Sequence, residues 1–287
     1  MKIKYGTTVQ ATDDGYVFNT EFARRGKITS RVLPNLLGKN SFTSVGESIL
    51  ERFGFLEKGH FEKWYSVRGR VGELLARQYI ELFLNHKQIE YKKIHAYELQ
   101  MFEGFDMFHP SYKHGHDVFG GTPDMLVEKE DRKDNLLIEV KTKNIGSYNY
   151  IVNVGNLPEE ELMQAHYLGY MTKSKEFALT YVFFTDEQEA KIRDITEDAD
   201  NLSDEELLDR LGFSLVGKDK VVVTMAIRNV DRDYMEGEME KAKKILDEFQ
   251  ETGLLSKDIL SAADVLEIEN YIEESSKGIN EDMFVTF

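Results

Sequence analysis

The chain has 287 residues, 41% hydrophobic and 31% charged, with no cysteine and a formal net charge of −16. That length can bury a large core in one domain or two, while the missing cysteines exclude disulfides, thiolate zinc sites and cysteine-held iron–sulfur clusters. No stretch approaches the ~20 uninterrupted apolar residues that span a bilayer, so no membrane partner is expected. The opening MKIKYGTTVQATDDGYVF holds no apolar signal-peptide core, which makes a cytoplasmic location the expectation.

The acidic balance argues at first against a nucleic-acid partner. Its distribution weakens that argument. Residues 1–40 hold seven Lys and Arg against three acids, whereas residues 231–287 hold sixteen acids against six bases. A local basic surface therefore survives in an acidic chain, and most acidic runs read as solvated faces.

In chain order, FARRGKITSRVLPNLLGKN (22–40) reads as a short basic helical segment ending at Gly38. HFEKWYSVRGRVGELLARQYIELFLNH (60–86) is a long helix whose apolar face is expected to carry Val71, Leu74, Leu75, Gln78, Tyr79 and Leu82, with Arg70 and Arg77 at its edge. KKIHAYELQMFEG (92–104) looks like a strand, and HPSYKHGHDVFGG (109–121) like a loop. TPDMLVEKE and NLLIEVKTK follow, joined by the turn-forming DRKDN, which predicts a β-hairpin. LPEEELMQAHYLGYMTKS (157–174) reads as a helix with Glu159 to Glu161 in its first turn, where the helix dipole favours acids. FALTYVFFTD and KVVVTMAIRNV are strands, separated by an acidic insert (about 195–215) with a short helix. Residues 231–250 form an amphipathic helix, and an acidic extension (about 251–287) closes the chain. With no repeats and no evident linker, a single α/β domain with decorations is expected.

The hairpin carries the chemistry. Side chains alternate along a strand, so Glu139 and Lys141 share one face while Ile138 and Val140 point behind. If the two runs pair, Asp124 faces the same way on the neighbouring strand, where opposed Cβ atoms lie about 4.5–5.5 Å apart. Two carboxylates at that spacing repel unless a cation sits between them. A hard divalent ion such as Mg²⁺ takes oxygen ligands and keeps several waters. Lys141 would then orient an attacking water and help deprotonate it, a set suited to phosphodiester hydrolysis. The competing interpretation is an exposed hairpin with ordinary surface charges. Against it, both acids interrupt apolar β runs, and Gly120 and Gly121 allow close backbone approach.

Pro123-Asp124 and Glu139-Val140-Lys141 resemble the motif of the PD-(D/E)xK nuclease superfamily. The wider pattern is similar to the phage-type alkaline exonucleases, the lambda exonuclease and YqaJ-like group. RRGKITSRVLPNLLG, RGRVGELLAR, GGTPDMLV with LLIEVKT, LMQAHYLGYMT and the terminal strand and helix match its segments in order, over roughly residues 18–250. The resemblance implies a restriction-endonuclease-like core, a central mixed β-sheet flanked by helices. It implies Asp124, Glu139, the Val140 carbonyl and Glu73 as holders of Mg²⁺, for which Mn²⁺ can substitute. Lys141 would be the catalytic lysine, and Gln164 would position water or phosphate. Arg24 would grip the 5′-phosphate of a DNA end, with Arg25 and Arg31 beside it. Thr29 or Ser30 would supply a hydroxyl, because Thr29-Ser30-Arg31 stands where the group prefers Thr-Ala-Ser. The implied activity is 5′-to-3′ exonuclease action on linear double-stranded DNA in recombination or repair, by a homo-oligomeric ring such as a trimer, beside a single-strand annealing protein. A structure-specific or site-specific endonuclease on the same core, and an inactive DNA-binding scaffold, stay open. The acidic insert and the C-terminal extension have no counterpart in the group.

Other residues have plainer readings. His109, His114 and His116 have metal-like spacing but sit in a Gly/Pro loop, and Trp64 suits core packing better than base stacking. His166 and Tyr167 lie beside Gln164, with helix packing the better account of Tyr167.

Overall fold

A computed structural model describes residues 1–59, 62–96, 118–130, 134–217 and 220–281, with side chains through 276. Residues 109–117 of the expected loop 109–121, residues 97–104 of the expected strand 92–104 and the terminal NEDMFVTF lie outside these residues, save the first two positions of that terminus, whose backbone closes the last helix. Where the sequence suggests one domain, the contacts group the chain into two compact units. One comprises residues 1–59, 114–121 and 233–287, and the other 60–113 and 122–232.

In the first unit, β1 (Val9–Ala11), β2 (Gly15–Phe18) and β8 (Leu254–Ser256) form an antiparallel sheet in the order β1-β2-β8. Helices α1 (Val32–Leu36), α2 (Val45–Arg52), α7 (Arg232–Thr252) and α8 (Ala262–Glu281) complete it. Phe18, Phe53, Phe55 and Phe249 meet in its core with ring centroids 4.9 to 6.3 Å apart. Gly253 must be glycine: its φ is +66°, and a Cβ there would stand 2.2 Å from the Phe18 carbonyl oxygen. The basic segment is less helical than expected. Only Val32 to Leu36 coil, because Gly38 turns the chain at φ +67° and Ile28 instead bridges to Phe119 in strand fashion.

The second unit carries the expected core, a five-stranded mixed sheet flanked by helices. Its order is β3 (Lys93–His95), β4 (Met125–Glu128), β5 (Leu136–Asn144), β6 (Glu176–Phe184) and β7 (Val222–Asn229). All neighbours run antiparallel except β5 and β6, which are parallel and joined through α4 (Glu159–Met171). The long helix α3 (Lys63–His86) covers one face. Its Val71, Leu75 and Ile80 are buried with Met125, Val127, Ile138, Ala178 and Val182, and each of the larger side chains contributes about 1.5–3 kcal/mol.

The buried stripe of α3 differs from the expected one. It runs through Val67, Val71, Gly72, Leu75, Ala76, Ile80 and Leu84, while Leu82 is 57% exposed. Gly72 explains the rotation. A Cβ there would lie 2.3 Å from Thr142 Cγ2, so this glycine lets the helix seat directly on β5. The acidic insert is part of the same core. Ala199, Leu207, Leu211 and Phe213 pack against α3. Helix α5 (Asp186–Asp194) follows β6, and the insert's own helix α6 (Asp204–Leu211) starts with a capping box between Ser203 and Glu206. Arg70 fastens it, donating to Asp204 Oδ1 at 2.6 and 2.9 Å and to the carbonyls of Ala199 and Leu202 at 2.9 and 2.8 Å.

Candidate active site

Strand β5 changes character along its length. Leu136, Leu137 and Ile138 are fully inside, Glu139 is still buried, and the residues from Val140 onward emerge. The hairpin register pairs Met125 with Ile138 and Leu126 with Leu137. One step further along that register, Asp124 stands opposite Glu139, as the alternation predicts. Met125, Val127 and Ile138 face α3, so alternation turns Glu139 to the opposite face, while Asp124, just before β4, also feels the charge of Glu73 on α3.

Asp124 is held by its neighbour strand: its Oδ2 accepts the Val140 N–H at 2.7 Å. On a strand one residue's N–H and C=O point to the same edge, which directs the Val140 carbonyl to the Asp124 side as well. Lys141 Nζ donates to Glu139 Oε1 at 2.9 Å and to Gln164 Oε1 on α4 at 2.5 Å. Glu139 Oε2 is buried and has no hydrogen-bond partner among the described residues. An unsatisfied buried carboxylate oxygen is costly, on the order of 1–3 kcal/mol or more.

The electrostatics show what the cluster lacks. Burial, then the carboxylates of Glu139 and Glu73, push Asp124 well above the ordinary carboxylate range, against the pull of the Val140 N–H and Lys141. Burial, then Glu139 and Asp204, raise Glu73 to about 7. Burial disfavours the Lys141 ammonium, but Glu139, Asp124 and Glu161 outweigh it and raise the pKa above its ordinary value. Lys141 is therefore a charged donor in the free protein.

The sequence-predicted residues divide between the two units. Asp124, Glu139, Val140, Lys141, Glu73 and Gln164 lie in the second, within one hydrogen-bonded or electrostatic neighbourhood. Arg24, Arg25, Thr29, Ser30 and Arg31 lie in the first. There Arg24 and Arg31 are exposed, Arg25 is paired with Asp247, and the Thr29 carbonyl starts α1 by accepting from Val32 and Leu33. The ion pair leaves Arg25 partly committed, which lowers its value as a phosphate ligand.

Among the described residues no group of three or more His, Asp or Glu side chains converges as a ready metal cage. The donor set nevertheless fits a hard cation. Mg²⁺ is usually held by one or two carboxylates plus waters and substrate phosphates. Asp124 and Glu139 supply two carboxylates, and the partnerless Glu139 Oε2 supplies a buried acceptor.

Three residues escaped the sequence reading. Glu161 on α4 is buried and takes Lys143 Nζ at 2.6 Å and the Tyr181 hydroxyl at 2.8 Å. Burial, then Glu161, push the Tyr181 phenol far up, so it stays protonated. The signals were present in the spacing: Lys143 follows Lys141 on the same strand face, and Glu161 precedes Gln164 by one helical turn. His166 turns away from the site. It stacks on Phe177, and its Nε2 meets the Asp231 N–H at 2.7 Å. Tyr167 is fully buried. Trp64 lies between Tyr65, stacked at 4.1 Å, and the Arg193 guanidinium, 4.2 Å from its ring centroid.

No protein-family profile matches the chain, and no curated protein sequence matches it. Solved structures are similar in overall course. An alkaline exonuclease from Laribacter hongkongensis is 16% identical, with 88% of this chain and 95% of that chain covered and a TM-score of 0.38. That enzyme in complex with dAMP gives 17%, the same coverages and 0.39. A phage-related exonuclease from Haemophilus somnus 129PT is 14% identical, covering 79% of this chain and 94% of that chain, with a TM-score of 0.45.

Proposed function

We propose that the chain is a Mg²⁺-dependent deoxyribonuclease, a 5′-to-3′ exonuclease on linear double-stranded DNA that serves recombination or repair. One observation carries the hydrolase reading. Asp124, one step before β4, stands opposite Glu139 of β5, whose Oε2 is buried without a partner among the described residues, and a lysine ammonium closes the cluster. The exonuclease choice rests on the order of the five sequence segments and on the basic residues around Arg24.

Asp124, Glu139, the Val140 carbonyl and Glu73 would hold the ion. Mg²⁺ there supplies a polarised phosphoryl oxygen, a more acidic attacking water and compensation for leaving-group charge. The protein does the rest. The Val140 N–H fixes the Asp124 carboxylate through one oxygen. Gln164 holds Lys141 at its Glu139 contact, so the ammonium presents its remaining proton to a phosphate oxygen or to the attacking water. Rigid strands hold these groups before substrate arrives.

The basic segment around Arg24, set against a net charge of −16, suits a ring of copies with DNA inside and acidic surface outside. Light scattering reads the copy number, and an annealing protein is the partner such an enzyme would feed with single strands. The activity test is 5′-phosphorylated linear duplex against closed circular duplex and single-stranded DNA, with Mg²⁺ and with chelator. Rapid loss of linear duplex alone supports the reading. Equal cutting of the closed circle refutes the exonuclease, and loss of duplex in chelator refutes the metal.

A further inference from the structure

Beside the lysine side of the site, on the α4 face of the sheet, lies a cavity of about 220 Å³. Its walls are Ile151, Leu157 and Ala226, with Tyr181 at the floor and Thr224 and Arg228 supplying polar groups. A π-helical turn, Asn149–Asn153, forms its rim; such turns are rare and often mark functional positions. The sheet ties the cavity to the catalytic lysine. Lys141 is paired with Tyr181, and Tyr181 with Thr224, so one rung crosses from lysine to cavity floor. Two strand spacings make that about 10 Å, roughly three stacked nucleotides along a DNA strand and fewer in an extended one.

We propose that this cavity takes one unpaired nucleobase of the DNA strand bound at the site. The inference rests on the nuclease reading and adds a base-binding subsite to it. The volume is below the ~300 Å³ where pockets for drug-sized ligands begin, which suits a single flat heterocycle. Alkyl walls from Ile151, Leu157 and Ala226 fit its faces, and the Thr224 hydroxyl fits a polar edge. The exposed Arg228 guanidinium stands at the wall for the adjoining phosphate. The floor is rigid: the Tyr181 hydroxyl is bound to Glu161, which also holds Lys143. A strand end must separate from its complement to place a base there, so the subsite would favour frayed or unpaired termini.

The test uses the full chain in chelator and short single-stranded DNA with 2-aminopurine at one of its first four positions. Wild type should change the fluorescence of one position on binding. Ala226→Leu, which fills the cavity, should abolish that change and weaken binding about tenfold. Arg228→Ala, at an exposed residue whose loss cannot unfold the sheet, should weaken binding while leaving the position of the signal unchanged. No position-specific signal in wild type, an unchanged signal in a folded Ala226→Leu, or unaltered affinity in Arg228→Ala overturns the subsite. Hydrolysis of linear duplex, measured separately, judges the nuclease reading. Hydrolysis without a signal sinks the subsite alone, and a signal without hydrolysis sinks the nuclease alone.

Discussion

Replacing Glu73 with Gln should make the metal-free protein more stable at pH 8. Glu73 titrates near 7 in the folded protein against an ordinary 4.5, through burial and the fields of Glu139 and Asp204. Between those values the folded state binds more protons than the unfolded one, so wild type loses stability as pH rises through the window. A shift of that size corresponds to about 3 kcal/mol. Glu73 is half-buried, and solvent screening reduces the figure to about 1–2 kcal/mol. In a unit of this size that is roughly 3–6 °C in melting temperature. Glu73→Gln removes the charge and keeps the shape. Thermal unfolding in chelator at pH 8 should therefore favour the variant, and the gap should shrink to well under 1 kcal/mol by pH 5. Added Mg²⁺ should reverse the order, because binding to the folded state stabilises it and wild type has the extra ligand. A variant less stable than wild type at pH 8 in chelator, or a gap that ignores pH, would refute the crowded-acid account.

Lys141→Ala should reduce hydrolysis about 10²- to 10⁴-fold while leaving duplex binding within severalfold, read by single-turnover kinetics and an equilibrium binding assay. Mg²⁺ affinity of wild type should rise with pH as the raised carboxyls of Asp124 and Glu73, the latter near 7, ionise; calorimetric titration from pH 5.5 to 8.5 checks this. Gly72→Ala should destabilise the protein by about 1–3 kcal/mol, since its new methyl meets Thr142 Cγ2 at 2.3 Å. The added change Thr142→Ser, which deletes that carbon, should restore most of the loss in a denaturant melt. Arg70→Ala should free the acidic insert, and hydrogen exchange in residues 199–211 should accelerate at least tenfold, with α4 unaffected.

Legibility followed the range of the interactions. The alternation of TPDMLVE and LLIEVKT fixed the opposition of Asp124 and Glu139, because register in a hairpin is local. Gln164 was readable for the same reason, one helical turn after a first turn rich in acids. The buried stripe of α3 was not, because Gly72 lies on it without an apolar side chain, and the close approach it permits depends on Thr142 far along the chain. The partners of Arg25 and Arg70, Asp247 and Asp204, are long-range ion pairs that no local pattern announces. Glu161 looked like a first-turn dipole acid. Only its burial against Lys143 and Tyr181 shows that it builds the floor beside the site.

The central claim is that a divalent cation belongs between Asp124 and Glu139. Titration of the metal-free protein with Mn²⁺, followed by electron paramagnetic resonance and competed with Mg²⁺, tests it most directly. Wild type should bind saturably and release Mn²⁺ to Mg²⁺, and Glu139→Gln should lose at least about tenfold in affinity at pH 8 while remaining folded in chelator. Equal binding by the two proteins, or no saturable binding by wild type, would contradict the account.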